Sequence, residues 1–292
     1  MRPNRQMLGG FTLVEMIVVM VITGIIGGMV AILIKAPVQG YVDSARRAEM
    51  TDVADTALRR LARDIRTAVP NSVRVPNQAG VSTYIEFLPT RDGGRYRVDT
   101  PGNVLNFGIA DGSFDIIGTA ITFVVGDYIV IGSTQSDGNP PYNTAVTGIL
   151  RAYNGVAGSQ TTVSFNNPAG LPVWAEVSGQ RFDVVDGAQQ AVTYACEGVN
   201  TDASGNGTGQ LMRYWKYGFY TSQPVPPITT QAPVPPNATL VQNAILADKV
   251  STCNIVYNLV NQRNGLVAIT LGITRGGESI SLYHTIHVNN VP

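Results

Sequence analysis

The chain has 292 residues, and its 20 Lys and Arg balance its 20 Asp and Glu, so the formal net charge is zero and only 14% of the residues are charged. Such a chain shows no electrostatic footprint for nucleic acid. Its length is ample for one sizeable domain, or one with an insertion, beyond a targeting segment.

The first predicted element is an apolar helix. Residues 11–34 are apolar apart from Thr12, Glu15 and Thr23, and at about 1.5 Å rise per residue they span about 36 Å, enough to cross a hydrocarbon core with some tilt. The stretch ahead of them, MRPNRQMLGG, holds Arg2 and Arg5 and no acid. The positive-inside bias therefore keeps the N-terminus cytoplasmic and sends everything after Lys35 across the membrane. A secretory signal peptide would carry small residues after its apolar region. Here nothing of that kind follows Ile34, and the pair Gly9-Gly10 precedes the run instead. A cut at that pair would be cytoplasmic, would leave the helix attached, and would create an α-amino group on Phe11. Glu15 is the only ionisable side chain between Arg5 and Lys35. A charge at bilayer depth costs roughly 2.5 to 3.5 kcal/mol, and the segment itself is expected to supply no partner for it. The new amine, one helical turn away, would be that partner, within one chain or between neighbours.

Gly10 followed by Phe11-Thr12-Leu13-Val14-Glu15 and an apolar helix resembles the prepilin signature of type IV pilins and type II secretion pseudopilins. The resemblance implies that a prepilin peptidase cuts after Gly10, that the same enzyme N-methylates Phe11, and that Glu15 pairs with the amine of an adjacent subunit during assembly. It implies a non-enzymatic subunit without cofactor. The subunit would sit in the inner membrane by a single pass and then join other major and minor pilins in a surface filament. The leader departs from the common form in having Gln6-Met7-Leu8 rather than a basic residue near the glycines.

Lys35, Ala36 and Pro37 end the apolar run, and Pro37 is expected to kink the helix rather than end it. Beyond it, Val42, Ala45, Met50, Val53, Ala57, Leu58, Leu61, Ile65 and Ala68 form a helical stripe backed by a charged face. Acids lie early (Asp43, Glu49, Asp52, Asp55) and arginines late (Arg59, Arg60, Arg63, Arg66), which suits the helix dipole. One long helix is thus predicted to run on and end near Pro70. After it come short β-type runs at 84–88, 120–125, 128–132, 161–165, 191–196, 266–274 and 279–288, the last two flanking a hairpin signal, Arg275-Gly276-Gly277-Glu278. The expected fold class is α+β, antiparallel sheet packed on the exported half of the helix. The predicted division is leader 1–10, membrane or filament-core helix 11–35, exported helix 36–69 and β-rich domain 70–292. Within that domain, 223–239 (QPVPPITTQAPVPPNAT) reads as a proline-rich loop or linker rather than a partner motif.

The chain has two cysteines, Cys196 and Cys253. In an exported protein one pair suggests one disulfide, with two reduced buried thiols as the alternative. His284 and His287 form H-x-x-H, but on a strand that spacing sends them to opposite faces, so no shared metal is expected. His284 shares parity with Ile280, Leu282, Ile286 and Val288 and is expected to be a hydrogen-bonded core histidine. Asp202, Ser204 and Asn206 have calcium-loop spacing, yet Arg213 stands where the closing Glu would fall, which favours an ordinary glycine-rich turn. Gly205, Gly207 and Gly209 open no helix and support no phosphate loop. Gly24-x-x-x-Gly28 permits close helix packing. No catalytic set presents itself.

The C-terminal stretches VTYACEG, LMRYWKYGF, LADKVSTCNIVYN and GLVAITLGITRGGESISLYHTIHVNNVP look like the exported domain of MshO-type minor pilins of the mannose-sensitive haemagglutinin (MSHA) pilus. That resemblance implies a subunit that initiates, caps or decorates a pilus serving adhesion or motility. The alternatives are a J-type minor pseudopilin of a type II secretion system and a membrane-anchored binding module that never polymerises. The latter would need neither Glu15 nor processing at Gly10.

Overall fold

A computed structural model describes residues 10–77, 80–134, 140–145, 147–229, 241–261 and 264–291. Most of the leader and most of the proline-rich stretch, 230–239, lie outside the described residues. The chain forms two compact units, Met1–Glu49 and Met50–Pro292.

One helix, α1, spans Leu13–Arg66. Pro37 lies inside it; proline removes one i→i−4 bond but does not end the helix here. The helix closes just ahead of Pro70, as expected. Thr67 and Ala68 donate their N–H groups to Asp64 O and Ile65 O, and the chain then turns to meet the sheet at Val69, whose N–H donates to Leu88 O at 2.8 Å. Asn71 follows in the left-handed region at φ 58°, which asparagine tolerates better than most residues.

In chain order the strands are β1 (Tyr84–Phe87), β2 (Thr90–Tyr96), β3 (Ser113–Ile117), β4 (Ile121–Phe123) and β5 (Tyr128–Ile131). They continue with β6 (Leu150–Ala152), β7 (Gly158–Gln160), β8 (Thr162–Ser164), β9 (Arg181–Val185) and β10 (Val192–Glu197). The last are β11 (Gly209–Trp215), β12 (Gln242–Asn261), β13 (Asn264–Arg275) and β14 (Glu278–Asn289). They build a first sheet in the order β1-β10-β11-β12-β13-β14, a second in the order β6-β5-β9-β2-β3-β8, and the pair β4-β7. All these strand pairings are antiparallel. The layout is α+β. The hairpin at Arg275–Glu278 forms as expected: those two residues pair, and Gly276 and Gly277 take φ of 59° and 81°, the left-handed turn that two glycines adopt without strain.

Each apolar face finds a partner. Met50, Ala54, Leu58, Leu61 and Ile65 of α1 bury against Ile85, Tyr194, Val250, Ile255 and Ile269 of the first sheet. The predicted stripe is thus real from Met50 onward, but Val42 and Ala45 are exposed, because the core that covers the stripe begins at Met50. Asp64 ties the helix to the sheet, accepting from Tyr194 Oη at 2.6 Å and Arg213 Nε at 3.1 Å. A second core joins Val69, Leu88, Val130, Val185, Met212 and Tyr217, and a third, rich in aromatic rings, fills the other face of the second sheet around Phe114 and Phe182.

Charge is buried where partners converge. Glu86 is fully buried and pairs with Arg74 at 2.6 Å, while Tyr217 Oη donates to its other oxygen at 2.9 Å. Arg74 also donates to the carbonyls of Tyr220 and Thr221 and lies over the Tyr142 ring at 3.6 Å. Burial raises the Glu86 carboxyl above its ordinary range, and Arg74 pulls it back. Asp183 on β9 is also raised by burial, to about 6, against a smaller opposing pull from Arg181.

Cys196 on β10 and Cys253 on β12 form a disulfide with Cα atoms 6.3 Å apart. Close by, Ser82 and Ile255 exchange backbone hydrogen bonds at 2.7 and 2.8 Å, which brings the chain entering β1 onto β12. The bridge closes a loop of 57 residues, so replacing both cysteines by serine is expected to lower the domain's stability by about 4 kcal/mol on the chain-entropy relation. Chemical denaturation of the oxidised protein and the double variant measures the difference.

Asp183 generates a pH prediction. Its folded pKa, about 6, lies above the ordinary value of 3.8, so between these the folded state binds more protons than the unfolded one and stability falls as pH rises. Discounted for partial exposure, the contribution is on the order of 1–2 kcal/mol. Asp183→Asn should therefore gain stability over wild type at pH 7, and the gain should vanish below pH 4 in paired thermal melts.

Candidate functional site

The residues singled out at the N-terminus lie together at the start of α1. Gly10 and Phe11 are exposed and precede the helix, whose first turn contains Glu15. From Phe11 to Ile34 the large apolar side chains are exposed, Phe11 by 85% and Leu33 by 77%. By length and composition α1 is able to cross a membrane.

Thr12 and Glu15 form a reciprocal cap. Glu15 N–H donates to Thr12 Oγ1 at 3.2 Å, while Thr12 N–H and its hydroxyl both donate to Glu15 Oε2 at 3.2 Å. This is the capping box, Thr-x-x-Glu, in which two otherwise orphaned backbone donors of a helix start are satisfied by each other's side chains. The negative side chain also lies at the positive end of the helix dipole. The expectation that the segment itself supplies no partner for Glu15 is therefore corrected: Thr12 supplies two donors. The signal was present in the sequence as a Thr three residues ahead of a Glu at the head of an apolar run. Among the described residues Oε1 of Glu15 has no hydrogen-bond partner, so one carboxylate oxygen stays available for a cation. Cleavage after Gly10 would leave Thr12 in place and put an amine on Phe11, on the same turn. Gly24 and Gly28 have open space where a Cβ would stand, a surface that another helix can approach closely.

The other candidates fall elsewhere. His284 is half-buried and His287 exposed, on opposite faces of β14. The expected hydrogen bond of His284 is not found: its buried Nε2 has no partner among the described residues. Asp202 closes a turn. Its Oδ1 accepts N–H groups from Ser204 and Asn206 at 2.9 and 2.8 Å, and these bonds, that of Asn206 foremost, hold its carboxyl below the ordinary range. Gly205 takes φ of 71° there, and the loop docks on the β13–β14 turn, Gly276 N–H donating to Asn206 Oδ1 and Gly277 N–H to Gly205 O. Arg213 lies on β11, bound to Asp64 and Gln189. The described residues contain no cluster of three or more His, Cys, Asp or Glu suited to a metal.

A family model described as the prokaryotic N-terminal methylation motif matches residues 9–31. No curated protein and no solved structure matches the chain. The matched stretch takes in Gly10, Phe11, the Thr12–Glu15 cap and most of the apolar part of α1. Residues 9–31 of this chain thus carry the processing signal of type IV pilin-like precursors at the head of a single membrane-anchoring helix.

Proposed function

We propose that the protein is a minor pilin, a low-abundance structural subunit of a type IV pilus. The observation that carries the reading is the coincidence, within residues 9–31, of the methylation motif with a carboxylate at the head of an otherwise apolar, uncovered helix. Prepilin peptidase removes residues 1–10 and methylates Phe11. The precursor sits in the inner membrane with its N-terminus cytoplasmic and residues 36–292 on the periplasmic side. In the filament, other pilins replace lipid around residues 11–34, and Glu15 neutralises the Phe11 amine of an adjoining subunit. The C-terminal stretches quoted above support a place in an MSHA-type pilus, as an MshO-like subunit in adhesion or motility.

Processing is checked by N-terminal mass spectrometry of the envelope form. The expected mature chain begins with methylated Phe11, and Gly10→Val is expected to leave a longer, membrane-retained precursor. A terminus at Met1, or one beyond residue 34, contradicts the reading.

Assembly is checked by immunoblotting sheared filaments against the membrane fraction. A cap alone contributes about 1 kcal/mol, whereas stripping a buried charge of its partner costs about 3 to 5 kcal/mol. Thr12→Ala removes the cap and should still incorporate. Glu15→Ala removes cap and charge and should be exported, cleaved and folded, yet depleted from filaments; Glu15→Gln, able to cap but neutral, should rescue only in part. Normal incorporation of Glu15→Ala defeats the assembly role. Wild-type protein that is processed but confined to the envelope points instead to a J-type pseudopilin.

A further inference from the structure

A cleft of about 290 Å³ lies where the end of α1, β2, β9 and the end of β14 meet, lined in part by Arg66, Thr90, Arg181, Asp183 and Asn289. Asp183 pairs across the sheet with Val130 and Gly93. Cross-strand pairs and alternate residues of a strand share a face, so Asp183 shares its face with Val130 and Val185, both members of the second core. The carboxylate therefore stands at the margin of an apolar layer. It accepts no hydrogen bond from any described residue, and burial is the main influence on it. Gly93 lets the two strands approach closely here: a Cβ there would stand 3.0 Å from Phe182 O and 3.5 Å from Asp183 Oδ1. Thr90 pairs with Val185 on the same face, and its Oγ1 is buried without a partner among the described residues. Arg66 and Arg181 are exposed at the rim.

A buried hydroxyl without a partner is rare in a folded interior unless water or a ligand completes it, and the half-buried carboxylate beside it faces the same cleft. The sign of the surrounding charge decides which ligand fits. A simple cation would face two guanidinium groups, and a simple anion would face the carboxylate. A molecule that carries both charges satisfies both sets: its ammonium donates to Asp183 and Thr90 Oγ1, and its anionic group accepts from Arg66 and Arg181. The volume suits a small molecule.

We propose that this cleft binds a small zwitterion, an ammonium and an anionic group joined through one or two carbons, such as a free α-amino acid. The same chemistry occurs in the phosphoethanolamine headgroup of a lipid. The site is independent of the processing and assembly assigned to residues 9–31.

Calorimetric titration of the full-length protein in detergent micelles tests it. The probes are glycine, L-alanine, L-glutamate and phosphoethanolamine, with ethanolamine and acetate as single-charge controls at equal ionic strength. Saturable binding of at least one zwitterion is expected, with both controls weaker by roughly tenfold or more. Asp183→Asn and Arg181→Gln should each weaken it roughly tenfold, and Thr90→Val about threefold. Asp183→Asn removes a half-buried charge and Arg181 is exposed, so both variants should fold, as their melts will show. Tighter binding of phosphoethanolamine than of every amino acid identifies the ligand as a headgroup, and the reverse order identifies it as a free amino acid. Absence of binding by every zwitterion up to roughly 10 mM, acetate binding as tightly as glycine, or an unchanged affinity in Asp183→Asn overturns the proposal.

Discussion

One helix must satisfy two environments, and the rest of the structure follows from that constraint. From Leu13 to Ile34 α1 exposes its large apolar side chains all round, a surface that water does not tolerate in bulk and that lipid or other helices must cover. From Met50 the same helix presents only a stripe, and the first sheet covers it. The change from all-round to one-sided hydrophobicity falls within one helix, which continues through Pro37.

Glu15 is where the constraint is most costly, and the structure shows how the cost is reduced. The capping box with Thr12 gives the carboxylate two donors inside the chain and puts it at the positive end of the dipole. The precursor can therefore carry the acid in a membrane without a neighbour, while Oε1 remains available to an amine. A residue that is tolerable alone and better satisfied in company is what the proposed function asks of Glu15.

In the domain, polar groups are buried only where distant segments converge on them. Glu86 is held by Arg74 and Tyr217, and Arg74 in turn gathers the carbonyls of Tyr220 and Thr221. Leaving any one of these unpaired would cost more than the pair contributes, so the network fixes how the 217–221 segment sits on the first sheet. Asp64 does the same between α1 and strands β10 and β11. Among the described residues Thr90 Oγ1, Arg97 Nε and His284 Nε2 are the exceptions, buried atoms without a hydrogen-bond partner.

The sequence by itself determined the elements whose signal is local. The apolar run, the glycine pair before it, the helical stripe, the glycine hairpin and the alternating strands at 84–88, 128–132 and 266–288 all depend on neighbours within a few residues. The Thr12–Glu15 cap was equally local and was legible as Thr-x-x-Glu. Other elements left no such mark. Strand β2 reads TRDGGRY, and its glycines and charges argue against a strand; it forms because β9 and β3 supply its backbone partners. Strand β12 exposes polar residues along much of its length, and its register is set by bulges against β11. The order of strands, the place where β10 and β12 come close enough for the disulfide, the burial of Glu86 and the cleft at Asp183 were decided only by the tertiary structure. Each depends on partners far apart in the chain, such as Ser82 and Ile255, and a backbone hydrogen bond between such partners is blind to the side chains from which a strand is read.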